Sequence, residues 1–287
     1  MKRKNLSRLI MLSFALIFIQ ACNQDVAQGI SDAGAQVDKP ESIMGYYNFL
    51  TAESDGVLRI SSYTTQASQD FNRAGDVKGF FYDKNRKPIN GGSFKIGGIT
   101  LNNDPKNNFV HSFDTYENHD RNEGQNLFGT TIKVDIAEPI LPAQRGSSVE
   151  PIQADIYLPA LIKITRPEMK NTKDVPYTPI SVGTEIGWNV DEKNEKGIVI
   201  LLDYNPEDPQ NINLETKTGL RKTKAITVKD NESFYRFKQE DVMYFPKNAY
   251  LNLTIGRANF LQVKGSSPNS YSFYAYTVVN AGIQVKY

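Results

Sequence analysis

Short runs in which apolar and polar residues alternate follow one another along most of the chain from residue 43 onward. In residues 56–64, GVLRISSYT, Leu58 and Ile60 fall on one side of an extended chain and Arg59 falls on the other. Such alternation predicts a strand with one buried face. Segments with a helical period are nearly absent, and KQEDVMYF (residues 238–245) predicts a single turn. The pattern therefore predicts an all-β protein.

Further strands are predicted where apolar runs are separated by Asn, Asp, Gly and Pro, which supply turn chemistry. In AYLNLTI, the residues Leu251, Leu253 and Ile255 share one face. In IQADIYLPALIKITRP, Pro159 predicts a break or an edge position, because proline has no N–H to donate. The other predicted strands lie in DVKGFFYD, SFKIGGITL, FVHSF, LFGTTIKVDIA, TEIGWNVD, IVILLDY, TKAITVKD, SFYRF and SYSFYAYTVVNAGIQVKY.

A change of composition at residues 137–151, AEPILPAQRGSSVEP, divides this strand-rich part of the chain. Three prolines and a Gly-Ser-Ser group are typical of a linker between units. We therefore predict two antiparallel β-sandwich domains, one over residues 43–150 and one over residues 151–287. Each is long enough to form its own core.

The spacing of strands over residues 160–287 resembles that of immunoglobulin and fibronectin type III domains. Trp188 lies late in one predicted strand, and an apolar strand follows it across a tight turn. In those families a buried aromatic residue on one sheet packs against the other sheet. The resemblance is one of rhythm and implies a fold class, with no reaction attached.

The amino-terminal residues have a different pattern, with the cations Lys2, Arg3, Lys4 and Arg8 followed by an apolar run at residues 9–19. This arrangement predicts an export signal over residues 1–21. The run is shorter than the roughly 20 residues that cross a bilayer. Residues 22–42 are small and polar without a sustained period, and they predict a flexible spacer.

The only cysteine of the chain, Cys22, stands directly behind the signal in the sequence IQAC. This sequence resembles the lipobox of bacterial lipoproteins, although Gln20 replaces the usual small residue. The resemblance implies cleavage before Cys22 and acylation of Cys22, with chains such as palmitate. Each buried methylene adds about 0.8 kcal/mol of membrane affinity, so two or three chains form a lasting anchor. An ordinary secretory signal followed by a free thiol is the alternative.

Two passages also resemble uncharacterised surface lipoproteins of Bacteroidota. They are VKGFFYDKNRKPINGGSFKIGGITL (residues 77–101) and EIGWNVDEKNEKGIVILLDYNP (residues 185–206). This resemblance implies location and fold class. Asn23, rather than Asp, follows the cysteine, so the inner-membrane retention signal of enterobacteria is absent. We expect a lipid-anchored protein of the outer membrane, on either its cell-surface or its periplasmic face.

Charge excludes one class of partner. Removing residues 1–21 takes away four cations and leaves 29 Lys and Arg against 32 Asp and Glu. Nucleic-acid recognition needs a clustered basic surface, so we expect no nucleic-acid partner. Because the only thiol is predicted to be acylated, the mature protein has no disulfide and its core alone must hold the fold.

Motifs for catalysis and cofactors are weak or missing. The sequence has no G-x-S-x-G element and no phosphate-binding Gly-Lys-Ser/Thr loop. His111 and His119, with Asp114, Glu117 and Asp120 nearby, could in principle bind zinc or iron, but their spacing matches no common site. We therefore predict no metal, no cofactor and no enzyme. A carboxylate pair assembled from distant strands would leave no local pattern, so a glycoside hydrolase remains an alternative.

Several loops rich in oxygen ligands raise the question of calcium. None has the acid spacing of the best-known calcium loop, so we interpret them as hairpin turns with solvated charges. They comprise residues 120–124 and loops that carry Asp191, Asn194, Glu195, Asp203, Glu207 and Asp208.

Aromatic residues are the remaining candidates for binding. In SYSFYAYTVV, the residues Ser272, Tyr274 and Tyr276 face one way, and Tyr271, Phe273 and Ala275 face the other. One of these faces must be core, and the other, if open, could stack on sugars or contact a protein; GYYNF (residues 45–49) raises the same question. The leading hypothesis is a structural or adhesive component that binds another envelope protein. A glycan-binding lipoprotein of a polysaccharide-uptake system is the alternative.

Overall fold

The computed structural model describes residues 56–65, 72–81, 94–101, 109–112, 127–136, 152–169, 177–215, 219–264 and 270–287. Within these ranges the protein is all-β, with fifteen strands, one four-residue helix and a 3₁₀ turn at Asp230–Glu232. The elements are β1 (Gly56–Thr65), β2 (Asn72–Phe81), β3 (Phe94–Ile96), β4 (Ile99–Leu101), β5 (Phe109–Ser112), β6 (Thr131–Ile136), β7 (Ile152–Tyr157), β8 (Ile164–Arg166), β9 (Thr178–Ile180), β10 (Glu185–Trp188), β11 (Ile198–Tyr204), β12 (Lys222–Val228), β13 (Phe234–Arg236), α1 (Gln239–Val242), β14 (Tyr250–Lys264) and β15 (Ser270–Val285).

The largest layer is an eight-stranded sheet in the order β12-β11-β14-β15-β1-β2-β5, with β9 also paired to β15. Its centre is a long hairpin, in which β14 has 15 residues and β15 has 16. Most neighbours are antiparallel, but β1 and β9 each run parallel to β15. Parallel neighbours need a long connection, and β1 and β15 are far apart in sequence. We call this layer the long sheet.

One face of the long sheet carries two hydrophobic cores. On β14, alternate residues from Leu251 to Ile255 enter the first core, together with β11 and the end of β15. On β15, Tyr271, Phe273 and Ala275 enter the second core, together with residues of β1 and β2. Because side chains alternate along a strand, both cores lie on the same side of the sheet.

Two small sheets contribute the facing halves of these cores. The sheet β13-β10-β8 supplies Ile164, Ile186 and Trp188 to the first core. The sheet β4-β3-β6-β7 supplies residues such as Val134 and Ile156 to the second core. Residues 158–163, which we call the crossing segment, connect β7 of one small sheet to β8 of the other. The layers are therefore a long sheet with two smaller sheets on one face.

The predicted strands are largely confirmed. β1 and β11 cover the runs GVLRISSYT and IVILLDY, and β7 ends before Pro159, as the missing N–H predicts. The prediction of one strand for SFKIGGITL is wrong, because β3 and β4 form a hairpin there. Gly97 and Gly98 have φ values of +52° and +87°, the left-handed conformation that a two-residue hairpin turn requires.

The predicted domain boundary, residues 150 and 151, lies outside the described residues and stays a prediction. Strands from both sides of it nevertheless share one sheet, because β1 pairs with β15 along ten residue pairs from Gly56↔Tyr271 to Thr65↔Asn280. Leu261 and Val263 of β14 also pack against the second core. The core beside β1 is thus completed by strands from the far end of the sequence.

Candidate functional site

Between the two cores, the same face of the long sheet carries a buried arginine. Arg257 follows Leu253 and Ile255 at the alternating positions of β14, so its side chain points to the core side. The side chain is 0% exposed, and the carboxylates of Asp230 and Asp191 beside it are 1% and 5% exposed. We call Arg257, Asp191 and Asp230 the junction cluster.

Oxygen atoms surround the Arg257 guanidinium, although its buried Nε makes an ion-pair contact and no hydrogen bond to a described residue. Nε lies 3.2 Å from Asp230 Oδ2, and Nη2 donates to Asp230 Oδ1 at 3.2 Å. Nη2 also donates to the backbone oxygen of Asn189, and Nη1 donates to that of Ala160 at 3.3 Å. Nη1 lies 3.7 Å from Asp191 Oδ2. One side chain thus contacts the 3₁₀ turn, the β10–β11 loop and the crossing segment.

The two carboxylates are also bound by several donors. Asp230 accepts from Trp188 Nε1 at 3.1 Å and from Asn194 Nδ2 at 2.8 Å. Asp191 accepts from the Tyr157 hydroxyl and from the Ala160 backbone N–H, both at 2.7 Å. Buried carboxylates require such partners, because an uncompensated charge away from water is very costly.

These contacts tie the crossing segment to the long sheet. Asn259 Nδ2 donates to Tyr157 O at 2.9 Å, and Thr277 Oγ1 donates to Ala160 O at 3.1 Å. Asn189 adds two further bonds, accepting from Lys163 N at 2.6 Å and donating to Leu161 O at 3.0 Å. The junction cluster therefore lies where the crossing segment, which connects the two small sheets, packs on the long sheet.

The electrostatics of the cluster suit a structural role. Burial raises the pKa of the Asp230 carboxyl, against the opposing effects of Arg257 and Asn194. Burial and the hydrogen bond to Asp191 raise the pKa of the Tyr157 phenol, so this hydroxyl stays protonated and acts as a donor. Burial lowers the pKa of Arg257, whereas Asp230 and Asp191 raise it. A phenol that holds its proton more tightly is a poor nucleophile or base.

The prediction of solvated side chains at Asp191, Asn194 and Asp203 is wrong, because all three are buried. Asp191 and Asn194 were expected to be solvated in a hairpin turn, but both are buried in the network around Asp230. Asp203 is also buried and pairs with Arg221, with Nη2 2.6 Å from Oδ2. Only the exposed Glu195 and Glu207 keep the expected environment.

The aromatic residues of β15 divide as their alternation predicts. Tyr271, Phe273 and Ala275 are buried in the second core. On the other face, Tyr274 stacks on its cross-strand partner Phe260 with centroids 4.8 Å apart and planes inclined by 18°. The ring centroid of Tyr276 lies 4.9 Å from that of Tyr274, and the two planes are inclined by 36°. One ring face of Tyr274 is therefore stacked on Phe260.

A third feature lies at one end of the long sheet. There β9, β11 and β15 finish, while β12 and β14 begin, as shown by the pairs Ile180↔Val285, Tyr204↔Lys222 and Tyr250↔Gln284. Six of the seven large apolar side chains that are exposed in the described residues belong to segments leaving this end. They are Val182, Ile212, Leu220, Met243, Tyr244 and Tyr287, and we call them the apolar end.

Specific contacts hold these segments in place. Asn211 is fully buried and exchanges two 2.9 Å hydrogen bonds with the backbone of Tyr250, which fixes the loop that carries Ile212. Lys222 Nζ donates to Tyr244 O at 3.1 Å and lies 5.5 Å from the ring centroid of Tyr244. The Tyr287 hydroxyl donates to Phe245 O at 2.9 Å. These contacts fix the positions of the segments that carry Ile212, Tyr244 and Tyr287.

The structure describes few of the other predicted site residues. Cys22, residues 45–49 and His119 lie outside the described residues, as do Asp114, Glu117 and Asp120. His111 belongs to β5, but its side chain is also outside the description. Among the described residues, no group of three or more His, Cys, Asp or Glu side chains could hold a metal ion.

No helix in the described ranges is long and apolar enough to cross a membrane. No protein-family model matches this chain, and no curated protein sequence matches it.

Proposed function

We propose that this chain is a lipid-anchored protein of the bacterial outer membrane that binds another envelope protein without covalent chemistry. The observation that carries the proposal is the apolar end. Isolated exposed apolar residues are ordinary, but their concentration at one place marks an interaction surface. Leu220 is 76% exposed and Met243 is 52% exposed, so water contact there is extensive.

The anchor rests on the IQAC sequence and on the single cysteine, Cys22. Geometry adds a relation between the anchor and the apolar end. The chain enters the long sheet at Gly56, which pairs with Tyr271 near the start of β15. The apolar end lies at the finish of β15, on the order of 45 Å away at the usual rise per residue. A tether that enters at one end leaves the other end available to a partner away from the membrane.

The two alternatives have less support. A sugar stacks on an open aromatic face, whereas Tyr274 is stacked on Phe260 and has the tilted ring of Tyr276 beside it. A glycoside hydrolase needs two carboxylates that a sugar can reach, whereas Asp191 and Asp230 are buried around Arg257.

For the fold, we propose an immunoglobulin-like relationship for the second half of the chain. Its support is Trp188, which comes from the sheet β13-β10-β8 and is buried in a core shared with the long sheet. The pairing of β1 with β15 adds strands from the first half to the same layer. The proposed relationship therefore concerns the layer arrangement around the first core.

Photo-crosslinking in intact cells tests the proposed function. A photoreactive phenylalanine derivative replaces Tyr244 at the apolar end or, as a control, the exposed Thr100 of β4 in the full-length protein. We expect a protease-sensitive crosslinked product from position 244 that is several-fold stronger than from position 100. Equal products at both positions, or crosslinks from position 244 only to lipid or glycan, would contradict the proposal.

A further inference from the structure

The strand β12 forms one edge of the long sheet. Its residues pair with β11 from Tyr204↔Lys222 to Ile198↔Val228, and within the described part of the chain β12 pairs with no other strand. Ala225 and Thr227 are exposed on one of its faces. An edge strand with an open side presents unpaired N–H and C=O groups to any further strand.

The edge is positively charged. Residues 221–229, RKTKAITVK, contain four cations and no acid. Arg221 is paired with Asp203, and Lys224 Nζ lies 2.7 Å from Asp241 Oδ1. The ammonium group of Lys222 contacts the carbonyl and ring of Tyr244, which carry no formal charge, and Lys229 is exposed. Among the residues that the structure describes, these two positive charges along the edge therefore have no acidic partner.

This charge argues against a second copy of the chain as the occupant. An antiparallel β12–β12 pair would place the same cationic strand against itself, and like charges on facing strands destabilise a sheet. Lysine on an edge strand is a known means of preventing such self-association. The same charge attracts an acidic strand, because complementary potentials favour the correct partner.

The surroundings of β12 add apolar contacts. The strand begins two residues after Leu220, and Lys222 Nζ bonds to Tyr244 O, so the edge is continuous with the apolar end. A strand laid along β12 would place alternate side chains beside Lys222 and Lys224 on one face and beside Ala225 and Thr227 on the other.

We infer that the open edge of β12 receives an extended, acidic segment of a protein partner, which adds one more strand to the long sheet. This mode of recognition takes affinity from main-chain hydrogen bonds and specificity from alternate side chains. The inference rests on the proposed protein-binding function and assigns that function a site and a chemical class of partner.

A defined peptide tests the inference on the full-length protein in detergent. The probe is an extended peptide of about eight residues that alternates glutamate with valine, and its counterpart carries lysine in place of glutamate. Hydrogen exchange is measured at residues 222–228. We expect the acidic peptide to slow exchange there at least tenfold, and the basic peptide to change exchange less than twofold.

Charge variants provide the matched comparison. Lys222→Glu with Lys229→Glu should weaken acidic-peptide binding at least tenfold. The control, Lys95→Glu with Lys133→Glu, makes the same charge change on the small sheet β4-β3-β6-β7 and should change binding less than twofold. Equal weakening by both pairs would overturn the inference.

A second pair of substitutions tests whether the lysines serve only to prevent self-association through the β12 edge. Lys222→Thr with Lys229→Thr should weaken binding of the acidic peptide. The inference would be overturned if this variant self-associates while the acidic peptide does not slow hydrogen exchange at residues 222–228 of the parent protein. The proposed function is tested separately by the crosslink at Tyr244. A specific protein crosslink there without protection of β12 would refute the edge alone, and the absence of both would refute both.

Discussion

The junction cluster gives the sharpest prediction for stability. Arg257→Met keeps much of the side-chain length but removes the cation that faces Asp191 and Asp230. Removing one partner of a buried ion pair typically costs about 3–5 kcal/mol, because the remaining charge has no compensation. Here two carboxylates lose the same partner, and two backbone carbonyls lose a donor. We therefore expect a loss of about 4 kcal/mol or more in the free energy of unfolding.

That loss is large relative to the total. A domain is commonly stable by about 5–15 kcal/mol, and each kcal/mol moves the melting temperature of a 150–250-residue domain by about 2–4 °C. A loss of about 4 kcal/mol thus predicts a fall of about 8–16 °C. Urea titration with Trp188 fluorescence measures it directly, because Trp188 is the only tryptophan and its Nε1 bonds to Asp230.

Arg236→Met is the matched control. Arg236 is 66% exposed and pairs with Glu185 on the outer side of a small sheet. Exposed pairs contribute little, so this variant should unfold close to the wild type. Adding Asp191→Asn and Asp230→Asn to Arg257→Met should recover part of the lost stability, because the uncompensated charges are gone. A loss below about 1 kcal/mol for Arg257→Met, or no recovery in the triple variant, would refute the electrostatic explanation.

Three further outcomes are expected. Burial raises the pKa of the Asp230 carboxyl, so the folded state favours its protonated form. The contribution of this carboxyl to stability is therefore full below about pH 3.8 and is lost as pH rises through its folded-state pKa. In urea titrations the stability of Asp230→Asn relative to wild type should increase over that pH range, and a constant difference would contradict this. Gly197 has φ +82°, and Gly197→Ala would place Cβ 2.6 Å from Val228 O. Thermal unfolding should therefore show a loss of more than about 1 kcal/mol in the free energy of unfolding, and an unchanged stability would contradict this turn geometry. Tyr274→Ala should cost about 2–3 kcal/mol in urea titrations, because it removes the stacking on Phe260 and the ring contact with Tyr276. Tyr287→Ala, at an exposed position, should cost less than about 1 kcal/mol, and equal costs would count against a stabilising role of these ring contacts.

Local pattern predicted the strands well because burial imposes a period of two on the sequence. The run IVILLDY lacks this period because both of its faces are apolar, and its short continuous apolar sequence instead indicates a fully buried strand, as β11 is. In β14 the same period carries Leu251, Leu253 and Ile255 into the first core. These features depend only on neighbouring residues, so the sequence contains them.

The partners of each strand could not be predicted in this way. β1 pairs with β15 from the opposite end of the chain, and local alternation does not encode that register. The apolar residues of SFKIGGITL favour a single strand, although its two successive glycines favour the tight hairpin turn that the structure has.

The junction cluster was missed, yet one signal was present. Alternation places Arg257 on the same face as Leu253 and Ile255, and a charged residue in line with core positions indicates a buried partner. The partners, Asp191 and Asp230, come from separate loops. Only the tertiary fold brings them together, so no spacing in the sequence could identify them.

We propose that this protein acts while anchored to the envelope through Cys22. Mass spectrometry of the mature protein isolated from membranes tests it most directly. We expect an amino-terminal peptide that begins at Cys22 and carries acyl chains on that residue. A mature chain that retains residues 1–21, or one in which Cys22 has an unmodified thiol, would contradict it.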